Sequence, residues 1–400
     1  MGNHRILYFC PQQLWPVNTG ARLRNFHLAN ALGMGCSVTL LQILQPGEAV
    51  VAPPAGVNFE RVLTVYKDRS YTPGKILRGL WGPTPVTLLN YTSAGVTAYL
   101  REILKDGGFQ AVQLESIHLF GYLNEIRSAP GKPAVLLDWH NIESELMRRY
   151  AEAATDPAKR MVAKRTAALL ARTELRALAE CDAHTVVSER EKEKLLARAP
   201  KALIQVIPNG VDTAAYGAVP QGEGTDLLFV GSMDYHANEE AVIWFAAEIW
   251  PRIANDFPAL NFVIAGRNPS ATVRALASER ITVTGTVDDV VPYYQKAFAV
   301  IVPLRVGGGT RLKILEAMAA GTPVISTRLG AEGLDVVDGE QILFADTPEQ
   351  MQAAVNRLRA DPSLRLRLSE AGRNLVRERY AWRALGTQLE AVHRGLLDRQ

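Results

Sequence analysis

An alternation constrains this chain more than any other feature. Short runs rich in Val, Ile, Leu and Ala are followed repeatedly by longer stretches of helical period. Arg5–Cys10, Ser37–Ile43, Ala111–Leu114, Ala134–Leu137 and Ala183–Val187 read as strands in the first half. Leu227–Val230, Asn261–Ala265, Ile281–Thr284, Ala299–Pro303, Pro323–Ser326 and Gln341–Phe344 read so in the second. Helical patterns at Ala21–Leu32, Lys159–Ala179, Glu239–Ile253 and Met351–Leu358 lie among them. Strands apolar on both faces and separated by helices belong to parallel sheets covered on either side. The pattern runs twice, and Pro208, Asn209, Gly210, Pro220 and Gly222 punctuate it between Val206 and Gly224. The expectation is α/β: two doubly wound domains, 1–205 and 206–379. A last helix at Trp382–Leu397 is expected to cross back, so that 380–400 packs on the first domain. Ligands of such sheets sit beyond the carboxyl ends of the strands, where the winding reverses. Two facing sheets would put the site in a central cleft.

Composition narrows the function classes. At 400 residues the chain exceeds one ordinary core, and 48% hydrophobic with 21% charged residues is a globular balance. No uninterrupted apolar run of about 18 residues reads as a membrane span, and the amino-terminal residues lack the pattern of a secretion signal. Cys10, Cys36 and Cys181 are too few and too scattered for a disulfide framework or a zinc site. A reduced, cytoplasmic compartment is the simplest expectation. The net charge of +3 divides unevenly, with the excess of Lys and Arg lying before residue 205. That half suits an anionic partner, or simply carries ordinary surface charge. Nucleic acid is not expected, since no RNP-type, zinc or basic-aromatic pattern is present. The basic stretch Lys159–Arg176 reads either as a solvated helix face or as a segment peripheral to an anionic membrane surface.

The chemistry concentrates in AVIVPLRVGGGTRLKILEAMAAGTPVIST, Ala299–Thr327. A buried strand ends at Pro303, and Gly307, Gly308 and Gly309 form a loop. Thr310 is a suitable N-cap for a helix starting at Arg311 and ending at Gly321. Strand, glycine loop and helix N-terminus together make an anion site, because unpaired N–H groups and the helix dipole point outward. Arg305, Arg311 and Lys313 add full charges, so a diphosphate is the natural guest. A loop that only turns the chain is the plainer alternative. Glu316 lies among Leu312 and Ala319 on that helix, where a carboxylate needs a partner. The two hydroxyls of a ribose would serve, as would Lys313 or Arg311.

The run LKILEAMAAGTPVIST, after a strand ending in Pro and a glycine loop, resembles the donor-site signature of the retaining GT-B glycosyltransferases of family 4. So do IPNGVD at Ile207–Asp212, LLFVGSM at Leu227–Met233, FVIAGRNP at Phe262–Pro269 and VTGTVDDVVPYYQKA at Val283–Ala297. NTGARLRNFHLANAL and DWHNIESELMRRY, in the first half, fit a subgroup of the same family. The resemblance implies a nucleotide-sugar donor site at Gly20, Ser232, Arg267, Gly285, Val287, Gly308, Gly309, Thr310, Lys313 and Glu316, with His140 and Arg311 as catalytic residues. Glu316 matches the second Glu of the family's E-x7-E motif, which binds the donor ribose. Gly308 stands where the first Glu is expected, so the usual carboxylate on the donor sugar is missing. Ser232 and Asn238 stand near places where the family often carries an Arg and a Lys for the diphosphate. Arg311, with Arg305 or Lys313, is the expected replacement.

In the first half Gly20 allows close backbone approach, and Arg22 and Arg24 follow it. His140 succeeds a strand in LLDWHN and is either structural or, as the resemblance implies, beside the donor sugar. Asp138, Asn141 and Glu143 are weaker candidates. Glu115 and His118, in QLESIH, compete with His140. The implied activity is transfer of a sugar from a UDP- or GDP-sugar to a sugar, lipid-linked or small-molecule acceptor. Retention of configuration, front-face attack, no metal and no further cofactor go with it. A nucleotide-sugar 2-epimerase of the same fold, or a non-catalytic member that binds a glycan or a partner, are the alternatives.

Overall fold

The computed structural model describes residues 4–17, 19–106, 108–216, 224–307 and 311–399. They form two compact units, Met1–Pro208 with Leu385–Gln400, and Asn209–Ala384.

The first unit holds β1 (Arg5–Cys10), β2 (Ser37–Leu44), β3 (Arg61–Tyr66), β4 (Ala111–Glu115), β5 (Ala134–Trp139), β6 (Ala183–Val186) and β7 (Ile204–Val206). They pair in parallel in the order β3-β2-β1-β4-β5-β6-β7. The second unit holds β8 (Asp226–Val230), β9 (Asn261–Ala265), β10 (Ile281–Gly285), β11 (Ala297–Val302), β12 (Val324–Ser326) and β13 (Leu343–Phe344). Their order is β10-β9-β8-β11-β12-β13, again parallel. Both sheets are therefore doubly wound, as the alternation predicts. The winding reverses between β1 and β4 in one unit and between β8 and β11 in the other.

The central strands are buried almost throughout, which explains their unbroken apolar sequence. Two strands escape the sequence reading. β3 lies at a sheet edge with half-buried and exposed residues alone, and β7 has three residues. Neither offers the continuous apolar run on which the reading depends. Pro303 and Pro323 fall just outside β11 and β12, because proline has no N–H to give a ladder.

The helices that matter for the site are α1 (Gly20–Leu32), α2 (Pro73–Trp81), α3 (Pro157–Glu180), α4 (Leu312–Ala320) and α5 (Trp382–Leu397). Thr19, Thr72 and Asp156 cap the first three, and Pro73 and Pro157 open α2 and α3. The expected helix Glu239–Ile253 is not continuous. It runs His236–Trp244, widens into a π-turn over Phe245–Ile249 and resumes at Trp250–Asp256. Pro251, which cannot donate to the preceding turn, accounts for the interruption. From Leu385 onward α5 belongs to the first unit, where Gly386 lies so close to Ala31 that an added Cβ would come within 2.3 Å of its methyl group.

Candidate functional site

In the first unit the polar side chains converge where the winding reverses. β4 ends on Glu115, β5 carries Asp138 and leads into His140, and α1 brings Arg24 and Asn25. Arg24 meets Asp138 with two prongs, Nε to Oδ2 at 2.9 Å and Nη2 to Oδ1 at 2.8 Å, and its Nη1 donates to the Pro208 carbonyl at 3.1 Å. Thr185 of β6 donates to the same carboxylate at 2.5 Å. His140 Nε2 lies 3.1 Å from Glu115 Oε2 and 3.3 Å from Asp138 Oδ2. Glu115 also accepts from Gln113 Nε2 at 2.6 Å. The hydrogen-bonding pattern turns the Asn25 amide nitrogen toward Glu115 Oε2, at 2.8 Å, beside His140 Nε2 at 2.9 Å.

Burial sets the electrostatics of this cluster, since Glu115 and Asp138 are closed to solvent and His140 retains 16% side-chain exposure. For Asp138 burial opposes ionisation, but Arg24 and then His140 outweigh it and hold its carboxyl far below the usual range. Burial and the neighbouring Asp138 push Glu115 up. Burial disfavours the charged form of His140 as well, yet its hydrogen bonds to Asp138 and Glu115 prevail and raise the imidazole to about 9. The two carboxylates thus favour the protonated form of His140 at neutral pH. By spacing alone Glu115, Asp138 and His140 could surround a cation, their nearest atoms lying within 4.8 Å of one another. The charges that balance the carboxylates are instead Arg24 and His140.

The structure brings Glu115, Asp138, His140 and Arg24 together, so Glu115 does not compete with His140 but holds it. His118 stands apart from these carboxylates, with Nδ1 2.7 Å from Ser116 Oγ and its ring against Tyr91, and burial lowers it to about 4. Glu143 opens the next helix, Glu143–Ala153, and burial raises its carboxyl. Asn141 is exposed. Gly20 is the first residue of α1, with open space around its Cα, and Arg22 turns back to the Pro16 carbonyl at 3.3 Å. Asn25 and Gln113 have no signal in the sequence, because neutral polar residues inside strands and helices are usually structural.

In the second unit the polar residues of the motif gather at the carboxyl edge of the sheet. α4 starts at Leu312, one residue later than expected, and buried Arg311 occupies its N-cap without a side-chain cap bond. Gly308, Gly309 and Thr310 lie outside the described residues. Gly307 has φ +109°, and an added Cβ would lie 2.6 Å from the Tyr235 hydroxyl, so only glycine fits there. Lys313 points from the first turn of α4 toward β8. Its Nζ donates to Asn238 Oδ1 at 2.8 Å and sits 3.9 Å from the centroid of the Phe229 ring. Burial first, and then Arg311, lower this amine to about 7. Glu316 is paired neither with Lys313 nor with Arg311. Its Oε2 accepts from the Tyr294 hydroxyl at 2.8 Å, with Tyr216 on the same carboxylate. Burial raises it, against the pull of those hydroxyls.

Ser232, just beyond β8 and after Gly231, accepts from Arg267 Nε at 3.0 Å and donates to Asp234 at 3.1 Å. Arg267 is thus drawn to the end of β8, though it stays half exposed. Gly266 comes so close to the Gly231 carbonyl that a Cβ would lie 1.8 Å from its oxygen. Gly285 closes β10, with half-buried Val287 two residues on. Arg305 does not join Lys313. It is ion-paired with Glu240 and lies 4.4 Å from the Trp244 ring centroid. Tyr216 and Tyr294 are missed by the sequence reading, although Tyr294 stands in plain view within VVPYYQKA.

Two family models match the chain, glycosyltransferase family 4 over residues 35–215 and glycosyl transferases group 1 over residues 224–361. A phosphatidyl-myo-inositol mannosyltransferase of Mycolicibacterium smegmatis is 29% identical over 199 residues, 47% of this chain and 50% of that protein. One from Mycobacterium leprae is 31% identical over 200 residues, 47% of this chain and 52% of that one. The chain therefore matches about half the length of these relatives. Among solved structures, sucrose-phosphate synthase from Thermosynechococcus elongatus superposes with a TM-score of 0.69 at 20% identity, covering all of both chains. HepE of Anabaena in complex with UDP gives 0.64 at 14% identity, covering 98% of this chain and 100% of that one. At these identities the likeness speaks for the fold, which is GT-B. With both units matched by models of one family and this fold, the chain belongs to the family 4 glycosyltransferases, the glycosyl transferases group 1.

Proposed function

We propose that the protein transfers a sugar from a UDP- or GDP-sugar to an acceptor hydroxyl, with retention at the anomeric carbon. The observation that carries this reading is the arrangement on α4, where Arg311, Lys313 and Glu316 lie within two turns at the carboxyl edge of the sheet, next to the β8–β11 reversal. Lys313 and Arg311, with the start of α4, hold the diphosphate and stabilise it as it leaves. Glu316, its Oε2 steadied by Tyr294, takes the ribose hydroxyls. Lys313, held by Asn238, supplies from α4 the charge that β8 lacks. Arg305, bound to Glu240, has no part in this. In the first unit His140 offers a protonated ring to hydroxyls of the sugar or the acceptor, and the carboxylates that hold it are occupied in doing so. Retention and metal independence follow from the family resemblance.

The relatives named above are phosphatidyl-myo-inositol mannosyltransferases, and the first unit has a surface suited to a membrane. α2 buries none of its residues, and Trp81 and Leu77 are 74% and 59% exposed beside Lys75 and Arg78. Arg165 of basic α3 donates to the Gly82 carbonyl at the end of α2, at 3.0 Å. A helix with an apolar face, basic neighbours and an exposed Trp fits the interfacial region of an anionic bilayer. Lipid-linked acceptors agree with such a surface.

Thermal unfolding with a panel of nucleotide sugars tests the donor assignment. UDP- or GDP-linked ligands should raise the melting temperature, and no rise with any of them overturns it. Anomeric analysis of the product by NMR tests retention. Incubation of the donor without acceptor separates transfer from 2-epimerisation.

A further inference from the structure

Behind His140 runs a chain of hydrogen bonds that the site chemistry above leaves unused. His393, on the part of α5 that belongs to the first unit, lies with Nε2 2.6 Å from Gln113 Oε1. Gln113 Nε2 donates to Glu115 Oε1 at 2.6 Å, and Glu115 Oε2 meets His140 Nε2 at 3.1 Å. His393, Gln113 and Glu115 are all fully buried. The direction of the chain is fixed by chemistry. An amide oxygen only accepts, so the His393 proton sits on Nε2 and the ring donates. That locks the Gln113 carbonyl toward α5 and its amino group toward Glu115. Without His393 the Gln113 carbonyl loses its buried donor, and the amino group is no longer pinned against Glu115.

We infer that His393 and Gln113 are positioning residues, through which docking of the carboxy-terminal segment onto the first unit orients the Glu115 carboxyl group against His140. The docking is a close fit elsewhere too. A Cβ at Gly35 would lie 2.2 Å from the Glu390 carboxylate, and Gly386 is pressed against Ala31. Burial keeps His393 neutral, at about 3, so it serves as a donor and never as a competing charge. The other groups facing His140 are Asp138 from β5, Asn25 from α1, Arg24 through Asp138, His118 after β4 and Glu143 from the following helix. None of them touches Gln113 in this chain of bonds. Losing the chain weakens Glu115 alone among the partners of His140.

The experiment follows the His140 ring by NMR in the full chain labelled with 15N-histidine, from pH 5 to 10, with His140→Gln to identify the signal. His393→Leu and Gln113→Met should each lower the His140 midpoint by about one unit or more. His393→Gln, whose amide can donate to Gln113, should restore it to within a few tenths. Gln113→Asn keeps the amide but shortens its reach, and gives the same reading if the apolar variants do not fold. Cooperatively folded variants whose His140 midpoint stays at the wild-type value overturn the inference and reduce the chain to a structural tie. The step from ring charge to turnover rests on the glycosyl-transfer reading. There the alkaline limb of the kcat profile should move down with the midpoint while the donor KM stays within about twofold. A midpoint that moves in a protein transferring no sugar would uphold the hydrogen-bond chain and overturn the transfer reading.

Discussion

Arg24 and Asp138, 114 positions apart in sequence, meet as a two-pronged ion pair with both side chains almost closed to solvent. The pair ties α1 to β5 at the point where the first sheet reverses its winding. Such a pair adds little net stability when intact, but breaking it leaves a charge stranded. Arg24→Met should therefore cost about 3–5 kcal/mol, read as a shifted midpoint in urea denaturation. Arg24→Met combined with Asp138→Leu should recover much of that loss. A single variant as stable as the parent would mean that Asp138 has other sufficient partners.

The raised His140 gives a signed pH dependence. Its value is about 9 in the folded chain against an ordinary 6.5. The folded state thus holds a proton that the unfolded chain gives up, and the stabilisation is complete below about 6.5. It is lost as the pH rises from there through 9. Denaturation midpoints across pH 6 to 10 should show that fall, and His140→Gln should flatten it.

Lys313 titrates in the opposite sense, with an amine brought down to about 7 from 10.5. An anion bound beside it favours the charged form. Nucleoside diphosphate binding should therefore take up protons near pH 8, and affinity should weaken as the pH rises past 7. Calorimetry in buffers of different ionisation enthalpy measures the uptake directly. Lys313→Met should abolish it and weaken binding about tenfold or more, in line with the ~1.5–3 kcal/mol of a hydrogen bond to a charged group.

Glu316 addresses the sugar of the nucleotide, not its phosphates. Glu316→Ala should weaken UDP or GDP binding by about 10- to 100-fold. It should matter much less for the 2′-deoxy nucleotide, which lacks one of the two hydroxyls. Equal losses for both ligands would remove the ribose from the proposed role.

The parallel sheets were legible because their central strands are buried on both faces and spell themselves out as apolar runs. β3 was not, since an edge strand needs no such run, and the π-turn at Phe245–Ile249 leaves only Pro251 as a trace. At the sites, the charged residues stood out and their partners did not. Glu316 called for a partner, a ribose or else Lys313 or Arg311, and the chain itself supplies the neutral hydroxyl of Tyr294. Glu115 and His140 looked like rivals, because two strand ends 25 residues apart in sequence reveal nothing of their distance in space. Asn25, Gln113 and His393 matter through orientation alone, which sequence does not carry.

The contact between Gly231 and Gly266 makes the ends of β8 and β9 a single plate of main chain. A plate without side chains cannot be tuned by ordinary substitution. Variation in what this edge presents would have to come from the side chains beside the plate, Ser232 and Arg267. A mutational library aimed at this edge should leave the two glycines untouched and spend its diversity on Ser232 and Arg267.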